Sequence, residues 1–324
     1  MSGGNLPYHL RVKKDIERRL FVEQLRLISK VYDLEEYAYI GMAGPFSEDF
    51  RLMYDRFNFK NFFSYEMSEK VYARQQFNIP FSQINYIQNK IIKFIDDYPD
   101  IEIRDDSIIS VKKSVLWLDY TGLEFDFLDE FQRAISILDE GSIVKITLLT
   151  HASNLYSNSH ELHNEVKRKR VENLKEKLGV NYFFEDVFDE SKMSEKAFPK
   201  AVFQMLKKVA YKALEGTNMI FLPIASYIYQ DGMKMLTFTG IKIRESEKDV
   251  FLEKTGLKSW EYSIYNSSKI PLDIDVPFLS LKEKYHLDAC LPNEPDDSVQ
   301  YFNKKELDGY KKFYKFYSSF AKII

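Results

Sequence analysis

Residues 37–46 read YAYIGMAGPF, and this stretch is the starting point for predicting the fold. Three of the four residues in YAYI favour a β-strand, and the chain then becomes flexible because Gly41 and Gly44 flank Met42 and Ala43. Such a change can be an ordinary tight turn, or a place where the backbone closely approaches a ligand. The stretch alone leaves both interpretations open.

Strand-like and helix-like segments alternate after this turn. Ser47 and Ser68 are well placed to open two helices, the second of them behind the strand-like segment NFFSY. Further on, Asp231 and Gly232 form a hairpin signal between two β-rich runs. The pattern predicts an α/β, Rossmann-like fold: a mainly parallel seven-stranded sheet with an antiparallel terminal hairpin and helices on both faces.

The regions before and after the alternating segments are expected to be helical. Residues 14–31 predict an amphipathic helix with Leu20 and Leu25 on its apolar side and Arg18 on its polar side. The charged stretch 96–106 is expected to be irregular, and prolines break the C-terminal part into short helices. We therefore predict three parts: an N-terminal helical segment (1–35), a Rossmann-like domain (36–245) and a small C-terminal helical subdomain (246–324).

Composition narrows the classes of partner and compartment. The chain has 324 residues, 45% of them apolar, and a net charge of -3 from 46 basic and 49 acidic residues. No global field therefore attracts nucleic acid or an anionic membrane, although a local nucleic-acid site is not excluded. The single Cys290 rules out an internal disulfide, and no apolar run reaches the length of a membrane span. We expect a cytoplasmic protein that does not bind membranes.

Polar or flexible residues follow four of the predicted strands. They are Gly41–Gly44, Glu66, Asn89 and Asp119 with Tyr120. Because ligands of parallel α/β sheets bind beyond the carboxyl ends of the strands, we expect these residues to lie along one edge. A ligand site there is the stronger interpretation of the glycine turn.

The order of these motifs resembles a known superfamily. The segment YIGMAGPF after the first strand, SYEMS at the second, and the terminal hairpin together resemble the class I S-adenosylmethionine-dependent methyltransferases over residues 36–245. Within that superfamily, YHLRVKK, LDYTG and LSLKEKYHLD are similar to O-methyltransferase-like proteins and the three-Cys-motif partner family. The resemblance implies S-adenosylmethionine as cofactor and methyl transfer to an oxygen or nitrogen of an unidentified acceptor.

The same resemblance implies cofactor-binding roles. Gly41, Met42, Ala43 and Gly44 would lie against the methionine part of the cofactor, where small side chains let the backbone approach. Glu66 would accept hydrogen bonds from both ribose hydroxyls.

Other positions would complete the site. Met67 and either Gln88 or Asn89 would contact the adenine. Asp119 would lie beside the cofactor and orient the acceptor or act as a base, and Tyr120 would stack on the acceptor.

Two residues in the N-terminal segment are candidates for substrate binding. His9 and Arg11 precede the first helix and could fold over the cofactor edge.

Plain structural roles remain open for several of these residues. Glu66 could be a solvated acid at the edge of the sheet. Asp119 could be a buried residue at a strand end whose hydrogen bonds are all made within the protein, and YHLRVKK could be a basic surface. The alternative function is therefore a catalytically silent, methyltransferase-like binding module that acts with a protein partner.

Missing motifs exclude other chemistries. LDYTG lacks the paired prolines of the Asp-Pro-Pro-Tyr motif, which argues against methylation of adenine N6 or cytosine N4. GMAGPFSED lacks the third glycine of a dinucleotide fingerprint, and the chain contains no P-loop. His160 and His163 are spaced three apart without an H-E-x-x-H motif, so we predict no metal.

Overall fold

The structure is a computed structural model, and it describes residues 11–103, 107–179, 185–265, 270–293, 295, 299 and 301–318. His9, one of the two predicted substrate contacts, lies outside the described residues.

The described residues form ten strands and ten α-helices. The strands are β1 (Tyr37–Gly41), β2 (Asn61–Tyr65), β3 (Ile84–Ile87), β4 (Asp100–Glu102), β5 (Ile108–Ser110), β6 (Lys113–Asp119), β7 (Ile143–Leu149), β8 (Met219–Gln230), β9 (Lys234–Arg244) and β10 (Leu272–Ile274). The helices are α1 (Val12–Ile28), α2 (Glu48–Arg56), α3 (Glu69–Phe77), α4 (Ile92–Asp97), α5 (Phe125–Ile137), α6 (His163–Leu178), α7 (Phe198–Ala213), α8 (Lys248–Thr255), α9 (Leu281–Cys290) and α10 (Lys304–Phe313).

The main sheet has the order β10-β8-β9-β7-β6-β1-β2-β3. Five consecutive strands of this sheet are parallel to one another: β7, β6, β1, β2 and β3. Strand β9 is antiparallel to both of its neighbours, β7 and β8. This confirms the predicted Rossmann-like class with its terminal hairpin. The order reverses between β1 and β6, so the carboxyl ends of β1, β2, β3 and β6 form the edge where such sheets bind ligands, called the carboxyl edge below.

Two local predictions were wrong. The sheet has eight strands rather than seven, because β10 pairs in parallel with β8. The stretch 96–106 is also more regular than expected: Asp100–Glu102 pairs with β5 as an antiparallel ribbon. Alternating side chains such as Ile101, which is fully buried, give this short ribbon a face to pack on the core.

Helices cover both faces of the sheet, as the alternating pattern predicts. One apolar layer contains Phe94, Phe131, Leu174 and Leu206 from α4 to α7. The other layer contains side chains of α1, α2, α8, α9 and α10: Phe21, Phe50, Leu252, Leu287 and Tyr310. Burying each such side chain contributes about 1.5–3 kcal/mol, so both layers hold the sheet in place.

The first helix differs from its predicted pattern. Leu20 and Leu25 are buried as expected, but Arg18, predicted on the polar side, is also buried, with 2% of its surface exposed. Its guanidinium carbon lies 5.1 Å from the centre of the Trp117 ring. The prediction failed because helical periodicity alone does not reveal that an aromatic ring of the sheet lies beneath this position.

Candidate cofactor and active site

The turn after β1 leaves open space beside its backbone. Gly44 has a φ of +60°, and a Cβ built there would meet no heavy atom within 4 Å. A Cβ at Gly41 would make only an ordinary 3.5 Å contact with the carbonyl oxygen of Trp117. The left-handed backbone at Gly44 is therefore the feature that requires glycine, and the space beside it can admit a ligand.

Neighbouring residues hold this turn against the sheet. The backbone N–H of Ala43 donates to Ser64 Oγ at 3.3 Å, which ties the turn to β2. Met42 is partly buried and packs on the apolar layer that contains side chains of α4 to α7. Ser47 precedes α2 as predicted but makes no capping hydrogen bond, because its φ is +48° and its Oγ lies 2.8 Å from Tyr86 Oη instead.

Glu66 follows β2 on the carboxyl edge and is half-buried. Its backbone N–H donates to the carbonyl of Ile87, and its Oε1 accepts a 2.7 Å hydrogen bond from the N–H of Ser68. Burial raises the pKa of Glu66. A carboxylate has about four lone-pair sites, so this geometry leaves capacity to accept two hydroxyl groups.

The two predicted adenine contacts are exposed loop residues. Met67 has 66% of its surface exposed, directly after Glu66. Asn89 follows β3, and its Oδ1 accepts a 2.8 Å hydrogen bond from the N–H of Lys90. The alternative contact Gln88 is exposed as well. All three lie beyond strand ends on the carboxyl edge.

Asp119 ends β6 and forms an ion pair with α1. Its Oδ2 lies 3.2 Å from Lys14 Nζ. Burial opposes ionisation of Asp119, but the charges of Lys14 and Arg18 outweigh it and hold the carboxyl pKa below its usual value. Burial also lowers the pKa of Lys14 to about 8, with a smaller contribution from the charge of Arg11. The ion pair thus brings the start of α1 to the carboxyl edge.

Tyr120 faces a different part of the molecule. Its ring stacks on Phe127 with centroids 4.0 Å apart, and its hydroxyl donates to the carboxylate of Glu130 on α5. Burial raises the pKa of Tyr120 well above its usual value. The hydroxyl therefore stays protonated near neutral pH and is bonded to α5 rather than to Asp119.

Sequence reasoning missed two groups of buried polar residues near this edge. The Tyr39 hydroxyl donates to Asp49 Oδ2 at 3.1 Å inside the protein. Glu17 and Lys145 are both fully buried and lie 2.8 Å apart. The one available signal was Lys145 itself, a lone charge within the apolar strand sequence SIVKITLLT.

Among the residues that the structure describes, no group of three or more His, Cys, Asp or Glu residues is arranged to hold a metal ion. None of the helices there is long and apolar enough to cross a membrane.

Comparison with known proteins gives one family. The sequence family described as "Putative O-methyltransferase" matches residues 6–324. The chain belongs to this family. The match confirms the resemblance to methyltransferases that the sequence motifs indicated. No curated protein sequence matches the chain.

Solved structures with a related fold have low sequence identity to this O-methyltransferase family member. They include Trm1 from Pyrococcus horikoshii with S-adenosyl-L-methionine, which is 11% identical over 74% of this chain and 57% of that one, with a TM-score of 0.44. The N-methyltransferase NodS from Bradyrhizobium japonicum WM9 is 9% identical over 71% of this chain and 97% of its own, with a TM-score of 0.38. TYW2 from P. horikoshii is 10% identical over 68% of this chain and 61% of its own, with a TM-score of 0.34. The chain thus spans about three fifths of the length of Trm1 and of TYW2.

In this family member, most of the predicted site residues come together. The turn Gly41–Gly44, Glu66 and Asp119 lie at the ends of the adjacent strands β1, β2 and β6. Arg11 directly precedes α1, whose first turn is bonded to Asp231 between β8 and β9, whereas the hydroxyl of Tyr120 is bonded to α5.

Proposed function

We propose that this protein transfers a methyl group from S-adenosylmethionine to an oxygen or nitrogen of an acceptor. Membership of the O-methyltransferase family favours oxygen. The observation that carries the proposal is the position of an open glycine turn, Glu66 and Asp119 at the ends of three adjacent strands where the strand order reverses.

The residues of the carboxyl edge fit this cofactor. Gly41–Gly44 would lie against its methionine part, where the space beside Gly44 receives it. Glu66 would accept the ribose hydroxyls with its remaining lone pairs. Met67 and Asn89 would flank the adenine. When bound, the cofactor supplies a methyl group made electrophilic by the positive sulfonium.

Charged residues of the edge would orient the reactants. Asp119 remains ionised in this setting, so it can align a positively charged group beside β6. Arg11 adds a cation at the start of α1 that suits a carboxylate of the cofactor or acceptor. Tyr120 is not part of this proposal, because its ring stacks on Phe127 and its hydroxyl is bonded to Glu130.

We propose a cytoplasmic location and leave three classes of acceptor to experiment: small molecule, protein and nucleic acid. A single cysteine in 324 residues supports a reducing compartment. Binding of cofactor without transfer to any of the three classes would favour the alternative function, a silent module that acts with a protein partner.

Calorimetric titration with S-adenosylmethionine and S-adenosylhomocysteine tests the cofactor site. Glu66→Ala should weaken binding by roughly 1.5–3 kcal/mol, the range for hydrogen bonds to a charged group. The matched control Glu69→Ala, exposed in the first turn of α3, should bind like the wild type. NAD should not bind. Absence of binding at millimolar ligand, or equal affinity in Glu66→Ala, would contradict the assignment.

A further inference from the structure

A cleft of about 100 Å³ opens beyond the ends of β6 and β7. Leu123, Leu149, Leu155 and Phe198 form apolar walls, and His151 lies among them. The loop after β6 reaches this cleft because the N–H of Leu149 donates to the carbonyl of Gly122 at 3.1 Å, three residues after Asp119. The cleft therefore opens beside the end of β6, the strand that neighbours β1 and its glycine turn.

The charged groups of the cleft are few. Glu124 and Lys177, which line the cleft, pair with each other, so their charges largely cancel. Glu195 faces His151 from the loop before α7 and does not itself line the cleft. An apolar cleft of this size with one imidazole suits a single ring or a side chain better than a highly charged ligand.

The His151 ring lies beside the carboxylate of Glu195. His151 Nδ1 lies 3.6 Å from Glu195 Oε2. That nitrogen is buried and makes no hydrogen bond within the described residues, while 24% of the side chain remains exposed. Of the two ring nitrogens, Nδ1 is the buried one, so Nε2 is the one available to a ligand in the cleft that His151 lines.

The Glu195 carboxylate is itself held rigidly. It accepts hydrogen bonds from the backbone N–H of Ala152 (3.1 Å) and from the N–H and Oγ of Ser153 (both 2.7 Å). Burial opposes ionisation, but these bonds and the neighbouring His151 hold the pKa of Glu195 below its usual value. A fixed carboxylate beside Nδ1 favours a proton on Nδ1 and leaves the lone pair on Nε2, the arrangement of an oriented general base.

We propose that His151 is the general base of this methyltransferase, that Glu195 is its positioning residue, and that the cleft binds an acceptor carrying a phenol-type hydroxyl. The proposal rests on the proposed function and names the acceptor class of that site. A base is needed for a hydroxyl because its oxygen becomes a good nucleophile only as the proton leaves, whereas a carboxylate acceptor has no proton to lose at neutral pH.

Methyl transfer to this acceptor breaks its O–H bond and the bond between the methyl carbon and sulfur. The acceptor hydroxyl gives its proton to Nε2, and its oxygen forms the new bond to the methyl carbon. The electron pair of the broken carbon–sulfur bond stays on sulfur, which becomes a neutral thioether. The imidazolium is stabilised by the Glu195 carboxylate and later releases its proton to solvent.

Nuclear magnetic resonance of ¹⁵N-histidine-labelled protein tests the geometry without turnover. With S-adenosylhomocysteine bound, His151 should be the Nδ1–H tautomer, and added phenol should shift the Nε2 resonance. Glu195→Gln should move the population toward the Nε2–H tautomer, an effect that a purely structural role would not produce. An Nε2–H tautomer in the wild type, or no shift with phenol, would overturn the proposal.

Turnover provides the second readout. With S-adenosylmethionine, the wild type should convert phenol to methoxybenzene, and His151→Ala should slow this by about 10²–10⁴-fold, with partial rescue by imidazole. His160→Ala, an exposed histidine nearby, is the matched control and should retain full activity. Benzoate and aniline serve as carboxylate and amine comparisons.

The outcomes separate this proposal from the proposed function. If the cofactor binds but phenol is not methylated, or if His151→Ala is as active as the wild type, the assignment of base and acceptor class is wrong. If the cofactor does not bind, the proposed function fails, and the phenol titration of His151 without cofactor still decides whether the cleft binds a phenol.

Discussion

Asp49 is a residue of α2, and its carboxylate is buried against the sheet, close to the carboxyl edge. It accepts a hydrogen bond from Tyr39, and burial raises its pKa from 3.8 to about 6. The folded protein therefore binds a proton at Asp49 more tightly than the unfolded chain does. The resulting stabilisation is complete below about pH 4 and is lost as the pH rises to about 6.

The variant Asp49→Asn isolates this effect because its amide oxygen can still accept from Tyr39 but cannot titrate. We expect the free energy of unfolding of the wild type, relative to Asp49→Asn, to fall by up to about 3 kcal/mol between pH 4 and pH 7. Urea unfolding at four pH values measures it. Asp55→Asn, exposed on the same helix, should show no such trend. A difference that does not vary with pH would mean that Asp49 is ionised throughout.

At the scale of elements, α1 begins with a cap supplied by a distant turn. The residue before the helix, Arg11, makes no side-chain capping bond. Instead, Asp231 in the turn between β8 and β9 accepts from the backbone N–H groups of Lys13 (3.3 Å) and Lys14 (2.8 Å). This contact holds the start of α1, and with it Lys14, on the carboxyl edge.

Removing this cap should loosen the edge. Asp231→Ala is expected to lower the free energy of unfolding by about 0.5–2 kcal/mol, as for other helix caps, and Asp231→Asn by less because one acceptor oxygen remains. Hydrogen exchange in the first turn of α1 should be fastest in Asp231→Ala, slower in Asp231→Asn and slowest in the wild type. Equal stability of all three proteins would show that the cap is unimportant.

The middle of α1 is joined to the sheet by the fully buried pair Glu17 and Lys145. Lys145 Nζ also lies 3.5 Å from the centre of the Trp117 ring, and burial lowers the lysine pKa to about 8. Either Glu17→Leu or Lys145→Met alone leaves a buried group without its partner.

Each single variant should therefore lose about 3–5 kcal/mol, whereas the double variant should recover most of the loss. Urea unfolding of the four proteins completes the double-mutant cycle. Additive losses in the double variant would contradict a coupled pair.

At the scale of the whole molecule, Asp275 connects α1 and α10 to the sheet. It follows β10, and its carboxylate pairs with Lys13 of α1 (2.8 Å) and Lys305 of α10 (2.6 Å). The backbone of α10 approaches the same residue so closely that a Cβ at Gly309 would lie 1.7 Å from the Asp275 carbonyl oxygen. We retain the three-part division at residues 35 and 245 as a proposal, with α1 and the C-terminal subdomain packed in one layer.

Gly309→Ala tests this contact. Although alanine favours helix, the clash with backbone should lower the free energy of unfolding by roughly 1–3 kcal/mol and speed hydrogen exchange in α10 and β10 before the sheet is affected. Asp308→Ala, exposed on the same turn, is the control and should change stability by less than about 0.5 kcal/mol. A stabilised Gly309→Ala protein would rule out the close approach.

The sequence by itself determined the fold class and predicted the outline of the candidate site. Period-two and helical patterns, the glycine turn and the Asp231-Gly232 hairpin are local signals, because a strand, turn or helix start depends on residues a few positions apart. The strand ends at Gly41, Glu66 and Asp119 could be placed on one edge for the same reason: parallel strands bring their carboxyl ends together.

Only the tertiary structure decided which charges are buried and what they pair with. Glu17 meets Lys145 across 128 residues, and Glu195 meets His151 across the whole of α6. A pattern in one segment shows that a face can be buried, but it does not show which distant group will compensate a charge there. Pairing of β10 with β8 was decided in the same way, since a three-residue strand carries almost no signal of its own until a sheet edge is available to it.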